Sequence, residues 1–270
     1  MFRRLRQKAS ERSGQFMVSP FRSFVMRAPG LIDPQFYLDF LPHRAWYWLY
    51  WRLFTMRQRR QEAIDLAWDE QHGTQTAGDV PLIAVGVSPD DAGRGHNTYR
   101  PVWEHKFNRA MRVIAPKIAD FTFVDYGSGK GKVLLMASDY PFRKILGMEY
   151  SPVLHEEALR NISRYRSSTQ RCREVTSVYQ DALTFEPPEG PLVCFLGNAF
   201  DDATFDVVLN RIAASFQKFP RPMYLIALSL RTFRECPGVK AMLEEMLSFR
   251  PVYRDLTTLI YESRYATVGR

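Results

Sequence analysis

Residues 121–135 read FTFVDYGSGKGKVLL, five mostly apolar residues, three glycines in five positions, then a second apolar run. Such a stretch folds as strand, tight turn and helix, and the turn brings backbone N–H groups close to whatever lies at the strand end. The chain beyond it keeps the same texture. Candidate strands are 121–125, 143–149, 175–180, 191–197 and 222–230, with a late strand or hairpin within 252–263. Candidate helices lie at 131–139, 152–165, 202–217 and 239–247. Strands alternating with helices require crossover connections, and so predict an α/β chain with a mainly parallel sheet.

Counting positions around the turn narrows its ligand. A triphosphate loop needs G-x-x-x-x-G-K-[ST]. Ending it at Gly131-Lys132 would need glycine at Tyr126 and a hydroxyl at Val133; ending it at Gly129-Lys130 would need them at Val124 and Gly131. Both registers fail twice. The dinucleotide fingerprint G-x-G-x-x-G fails at Lys132. What remains is D-x-G-x-G-x-G, in which Asp125 ends the strand and Gly131 opens the helix.

This pattern resembles the first motif of class I S-adenosyl-L-methionine-dependent methyltransferases, and the resemblance extends over roughly 95–230. It implies a Rossmann-like, seven-stranded, mostly parallel sheet with an antiparallel last strand, preceded by a helical N-terminal segment. It also implies that Gly127, Ser128, Gly129 and Gly131 let the backbone pass close to the cofactor, while Asp125 faces its amino-acid end. The chemistry agrees, because the cofactor offers an ammonium for Asp125 and a carboxylate for the turn's N–H groups. Glu149, with Tyr150 beside it, falls 18 residues after Gly131, near the position of a ribose-binding acid. Its two oxygens suit the two ribose hydroxyls. Ser151 and Pro152 then read as cap and first residue of the next helix. By the same resemblance Asp181, followed by Ala182, meets the adenine amino group, and Asn198 faces the reacting methyl group.

His72-Gly73-Thr74, Tyr99, the GSGKG turn, Glu149-Tyr150-Ser151 and Asn198-Ala199-Phe200 together are similar to a bacterial-type subgroup of that family. The resemblance implies that Tyr99, in the segment before the glycines, folds over the cofactor. Candidate groups at the reacting atoms are Asn198, Phe200 and Tyr99; His96 reads as a polar loop residue. Relatives with amine acceptors commonly carry proline where Ala199 stands, so the Asn-x-Phe pattern points only loosely to N-methylation of an unidentified small molecule or protein. Asp201 and Asp202 are adjacent acids at a helix start and read as caps rather than ligands. No metal is expected.

The first 60 residues carry 12 Lys/Arg against three acids; the remaining 210 are balanced, with 25 basic and 26 acidic groups. Any attraction to an acidic partner therefore belongs to the N-terminal segment. Residues 43–73 contain no Gly or Pro before Gly73 and read as helix, with Trp46, Tyr47, Trp48, Tyr50 and Trp51 at its start and RQRR at 57–60. Three readings stand for this segment: packing onto the α/β domain, a membrane surface, or nucleic acid. A shorter helix is expected over 33–41 and another over 101–118. Three widely spaced cysteines, no apolar run of spanning length and no secretory leader make the cytoplasm, or its membrane periphery, the expected location. The expected division is a basic, aromatic-rich helical segment over 1–95 and a cofactor-binding methyltransferase domain over 96–270.

Overall fold

The computed structural model describes residues 43–88, 98–197, 200–228, 243–244 and 247–264. The helices expected over 33–41 and 239–247 lie outside these residues, or nearly so. The chain divides into two compact units, residues 1–60 and 61–270, and the division falls inside the first helix, α1 (His43–His72). Gly73, with φ of 71°, ends that helix.

Within the second unit, β1 (Val80–Pro81) pairs antiparallel with β2 (Thr98–Tyr99). Helix α2 (Glu104–Ile114) follows, continued by a 3-10 turn to Lys117. Then come β3 (Thr122–Tyr126), α3 (Lys132–Ser138), β4 (Lys144–Glu149), α4 (Pro152–Arg164) and β5 (Val175–Tyr179). The chain closes with β6 (Leu192–Leu196), α5 (Asp202–Lys218), β7 (Met223–Leu228), β8 (Phe249–Arg254) and β9 (Thr258–Ser263).

Seven strands form one sheet in the order β5-β4-β3-β6-β7-β9-β8. The pairings from β5 across to β7 are parallel, whereas β9 runs antiparallel to both β7 and β8. This is the Rossmann-like, mostly parallel arrangement with an antiparallel last strand that the resemblance implies.

Strands β3, β6 and β7 are buried throughout, which is why they read as unbroken apolar runs: both faces of a parallel sheet are covered. Alternate residues supply the two cores. Val124, Tyr126, Leu192, Cys194, Leu196 and Leu225 pack with Phe205, Val208 and Ile212 of α5. Phe123, Val193, Phe195 and Ile226 face the other way, with Phe107, Met111 and Ile114 of α2 and Trp68 of α1. Among the described residues no helix is long and apolar enough to cross a membrane.

Candidate functional site at the glycine turn

Strand β3 is the switch point of the sheet, with β4 on one side and β6 on the other. A crevice at the C-terminal ends of such strands is the usual ligand position in open α/β sheets. The glycine turn occupies that end. Gly127, Gly129 and Gly131 have φ of 85°, 53° and 85°, a region that residues with a Cβ enter at a cost. The N–H groups of Gly127 and Ser128 donate to the Met148 carbonyl at 3.0 and 2.9 Å, tying the turn to β4. On β4, Gly147 permits the close approach: a Cβ there would lie 2.6 Å from Ser128 Cβ and 2.7 Å from Leu134 Cδ1.

An acid stands at or just past the C-terminal end of each of the three strands β3, β4 and β5. Glu149 bridges two elements. Its Oε2 accepts from Gly129 N–H at 2.8 Å and its Oε1 from Ser151 N–H at 2.9 Å. Each oxygen retains acceptor capacity, since a carboxylate has about four lone-pair directions. Asp125, buried at the end of β3, has a pKa raised well above the usual carboxylate range by burial and by the neighbouring Glu149 charge. Burial also raises Glu149, while the N–H bonds from Ser151, Gly129 and Tyr150 oppose it. Asp181 lies two residues beyond Tyr179, the β5 partner of Glu149, and its Oδ1 accepts from Leu183 N–H at 2.9 Å.

Residues 61–77, together with Tyr99, form a strap over the turn. The buried positions of α1 here are Gln61, Asp65, Trp68 and Asp69, one helical face at spacings of four, three and one. Beyond the helix, Asp69 gathers the chain. It accepts from the hydroxyls of Thr74 and Thr76 at 2.7 and 2.8 Å, and from the N–H groups of Thr76 and Ala77 at 2.6 and 2.7 Å. The segment so fixed presents two carbonyls. Tyr99 OH donates to that of Thr76 at 2.8 Å and Lys130 Nζ to that of Ala77 at 3.2 Å. Asn161 joins strap and turn from α4, donating to the Lys130 carbonyl at 2.9 Å and accepting from Gln75 N–H at 2.8 Å.

The Tyr99 ring lies on Gly129 so closely that a Cβ at that glycine would fall 2.3 Å from Cε2. Burial raises the Tyr99 pKa well above its ordinary value, and Asp69, Asp65, Glu157 and Glu149 add to the shift. The hydroxyl thus keeps its proton, and the geometry makes Tyr99 a clamp on the turn. Three residues on, Val102 comes within 3.4 Å of where a Cβ on Gly197 would stand, at the end of β6. The segment from Tyr99 to Val102 therefore crosses the sheet's C-terminal edge from the turn to β6.

Both lysines of the turn are engaged elsewhere. Lys132 Nζ donates to Asp65 Oδ1 at 2.6 Å, and the two side chains are only 2% and 4% exposed. Gln61 donates to the same oxygen at 3.0 Å, and the Trp68 ring centroid is 5.0 Å from the ammonium. Lys130 lies 3.7 Å from Glu157 and 5.3 Å from the Tyr99 ring centroid.

The structure thus places Asp125, Gly127, Ser128, Gly129, Gly131 and Glu149 around one turn with Tyr99 upon it, and Asp181 and Ala182 at the end of β5. Tyr150 packs beside Leu82, Val87 and Leu154. Phe200 is half-buried against the core that includes Tyr126 and Phe185. Asn198, Ala199 and His96 lie outside the described residues. Asp201 caps α5, accepting from Thr204 N–H at 2.8 Å. Among the described residues no group of three or more His, Cys, Asp or Glu is placed to hold a metal. The sequence reading missed Asp65, Asp69 and Asn161, whose partners stand up to 86 positions away.

No family model and no curated protein matches this sequence. Among solved structures, the chain is similar to the methyltransferase domain of bacterial CtHen1-CN, with TM-score 0.45 and 13% identity over 59% of this chain and 97% of that one. It is also similar to an RNA methyltransferase from Salinibacter ruber, with TM-score 0.41 and 14% identity over 63% and 96%. A third is N-methyltransferase NodS from Bradyrhizobium japonicum WM9, with TM-score 0.42 and 11% identity over 60% and 94%.

Proposed function

We propose that this chain binds S-adenosylmethionine at the glycine turn and transfers its methyl group to an acceptor still to be identified. One observation carries the reading: Asp125, Glu149 and Asp181 lie at or just past the ends of three adjacent strands, while Lys130 and Lys132 are engaged by the strap and α4. A turn built for phosphate would present its lysines to the ligand. This one presents carboxylates, which suit a ligand carrying an ammonium, a sulfonium and ribose hydroxyls.

The donor set fits such a group. Asp125 would face the ammonium, Glu149 would use its remaining lone pairs for the ribose hydroxyls, and Asp181 would accept from the adenine amino group. When bound, the cofactor supplies a methyl already activated by its sulfonium. The chain's task is then binding, alignment and exclusion of water. Glu149 holds the turn in register with α4, and Tyr99 presses on Gly129 and shields it. Asn198 and Phe200, beyond β6, would align the acceptor, and the Asn-x-Phe pattern is in keeping with a nitrogen acceptor.

Titration calorimetry of the full chain with S-adenosylmethionine and S-adenosylhomocysteine tests this reading. Binding of both is expected; binding of neither would sink it. Transfer of labelled methyl to a fraction of cell extract would then locate the acceptor.

A further inference from the structure

We propose that the first half of α1, residues 43–60, seats the protein on an anionic lipid surface. Six large apolar side chains stand exposed within ten residues: Tyr47 53%, Trp48 60%, Trp51 44%, Leu53 54%, Phe54 38% and Met56 59%. A cluster of this kind on an otherwise ordinary chain marks an interaction surface. Its charge is one-sided. From His43 to Gln61 there are five arginines and no acid.

The distribution along the helix favours lipid. From Ala45 to Met56 only Arg52 and Thr55 interrupt the apolar residues, and Arg57, Arg59 and Arg60 follow at once. The apolar block is about 18 Å long at 1.5 Å per residue, well short of the roughly 30 Å hydrocarbon core. Too short to cross, it fits lying along the interface, with Trp and Tyr at headgroup level and the arginines beside the phosphates.

Other occupants fit less well. A second copy of the helix would set arginines against arginines with no acid to offset them. A nucleic-acid strand needs open rings for bases to stack on. Here Tyr47, Tyr50 and Phe54 crowd Trp51 at 5.9, 5.3 and 5.5 Å between centroids, and the Arg52 guanidinium sits 5.1 Å over Trp48. Leu53 and Met56 offer a base or phosphate nothing, whereas acyl chains accept all six side chains.

Co-sedimentation of the full chain with vesicles provides the test. Binding is expected to equimolar phosphatidylcholine–phosphatidylglycerol vesicles, weakening steeply with salt, and not to phosphatidylcholine alone. Replacing Arg52, Arg57, Arg59 and Arg60 by Gln should lower affinity on the order of a thousandfold. Trp48→Ala/Trp51→Ala should lower it by tenfold or more at unchanged thermal melting. Brominated lipid should quench tryptophan fluorescence of the unaltered chain, a readout independent of any variant. Failure to bind the anionic vesicles would overturn the proposal. So would binding of single-stranded RNA that the tryptophan double variant abolishes, or self-association that the same variant dissolves.

Discussion

Lys132, the first residue of α3, is held by Asp65 at 2.6 Å from a helix 67 positions earlier in the chain, with both side chains out of contact with water. Removing one partner leaves the other charge stranded in the core. Asp65→Ala should destabilise the second unit by about 3–5 kcal/mol, and Asp65→Leu/Lys132→Met by clearly less, because no charge is then left unpaired. Urea denaturation followed by circular dichroism reads both. Equal losses in the single and double variants would show that the pair's charge is immaterial.

The contact of Tyr99 with Gly129 predicts an asymmetric pair of variants. Gly129→Ala meets the ring at 2.3 Å and a φ of 53°. It should displace Tyr99 and abolish measurable binding of S-adenosylhomocysteine by calorimetry. Gly129→Ala/Tyr99→Ala relieves the collision, keeps the backbone strain of about 1–2 kcal/mol and adds the loss of the Tyr99 bond to Thr76. It should melt closer to the native chain than Gly129→Ala does. If Gly129→Ala binds with native affinity, the turn is not at the ligand.

Asp125 and Glu149 give the protein a pH signature. Both folded pKa values are raised, so the unfolded chain gives up these protons at lower pH than the folded one. Stability should therefore fall as pH rises from the ordinary carboxylate range near about 4 through the folded pKa values. Affinity for the cationic cofactor should change in the opposite sense, rising as Asp125 ionises. Thermal melts across pH, with and without S-adenosylmethionine, measure both trends. Asp125→Asn should flatten the affinity profile, and an unflattened profile would remove Asp125 from the cofactor.

Asp69 accepts four bonds from Thr74, Thr76 and Ala77, and two of the donors are backbone N–H groups. Asp69→Ala should cost about 1–3 kcal/mol for each buried group left unpaired. Through Thr76 and Ala77 it should also loosen Tyr99 and Lys130, and so weaken S-adenosylhomocysteine binding. Hydrogen exchange at Thr76 and Ala77 would rise if the account is right and stay protected if the turn stands without Asp69.

Much of the sheet was legible because burial on both faces leaves a plain mark. FTFVD, RKILGME and PLVCFLG read as strands, and the observed strands match them to within a residue or two. Helix starts were legible where a cap is local: Ser151 accepts from Leu154 N–H with Pro152 following, as expected. Hydrophobic periodicity misses the inner face of α1 because that face is Gln61, Asp65 and Asp69 around a single Trp68. The partner of a buried charge leaves no local trace. Counting positions already sets Lys130 and Lys132 aside as phosphate ligands, but only the structure shows that Ala77, Glu157 and Asp65 hold them.

The pairing of Lys132 with Asp65 also bears on how such a chain could be recombined. The glycine motif invites a cut near residue 95, as though the sheet began there and the preceding helix were an interchangeable ornament. A fragment so excised would carry an ammonium into its interior with no counter-charge, and a foreign N-terminal module would have to bring an acid to one particular point. The last turns of α1 and the sheet are consequently a single inheritable piece. The seam available for swapping modules lies upstream, at Arg60, where the chain's own compact units divide.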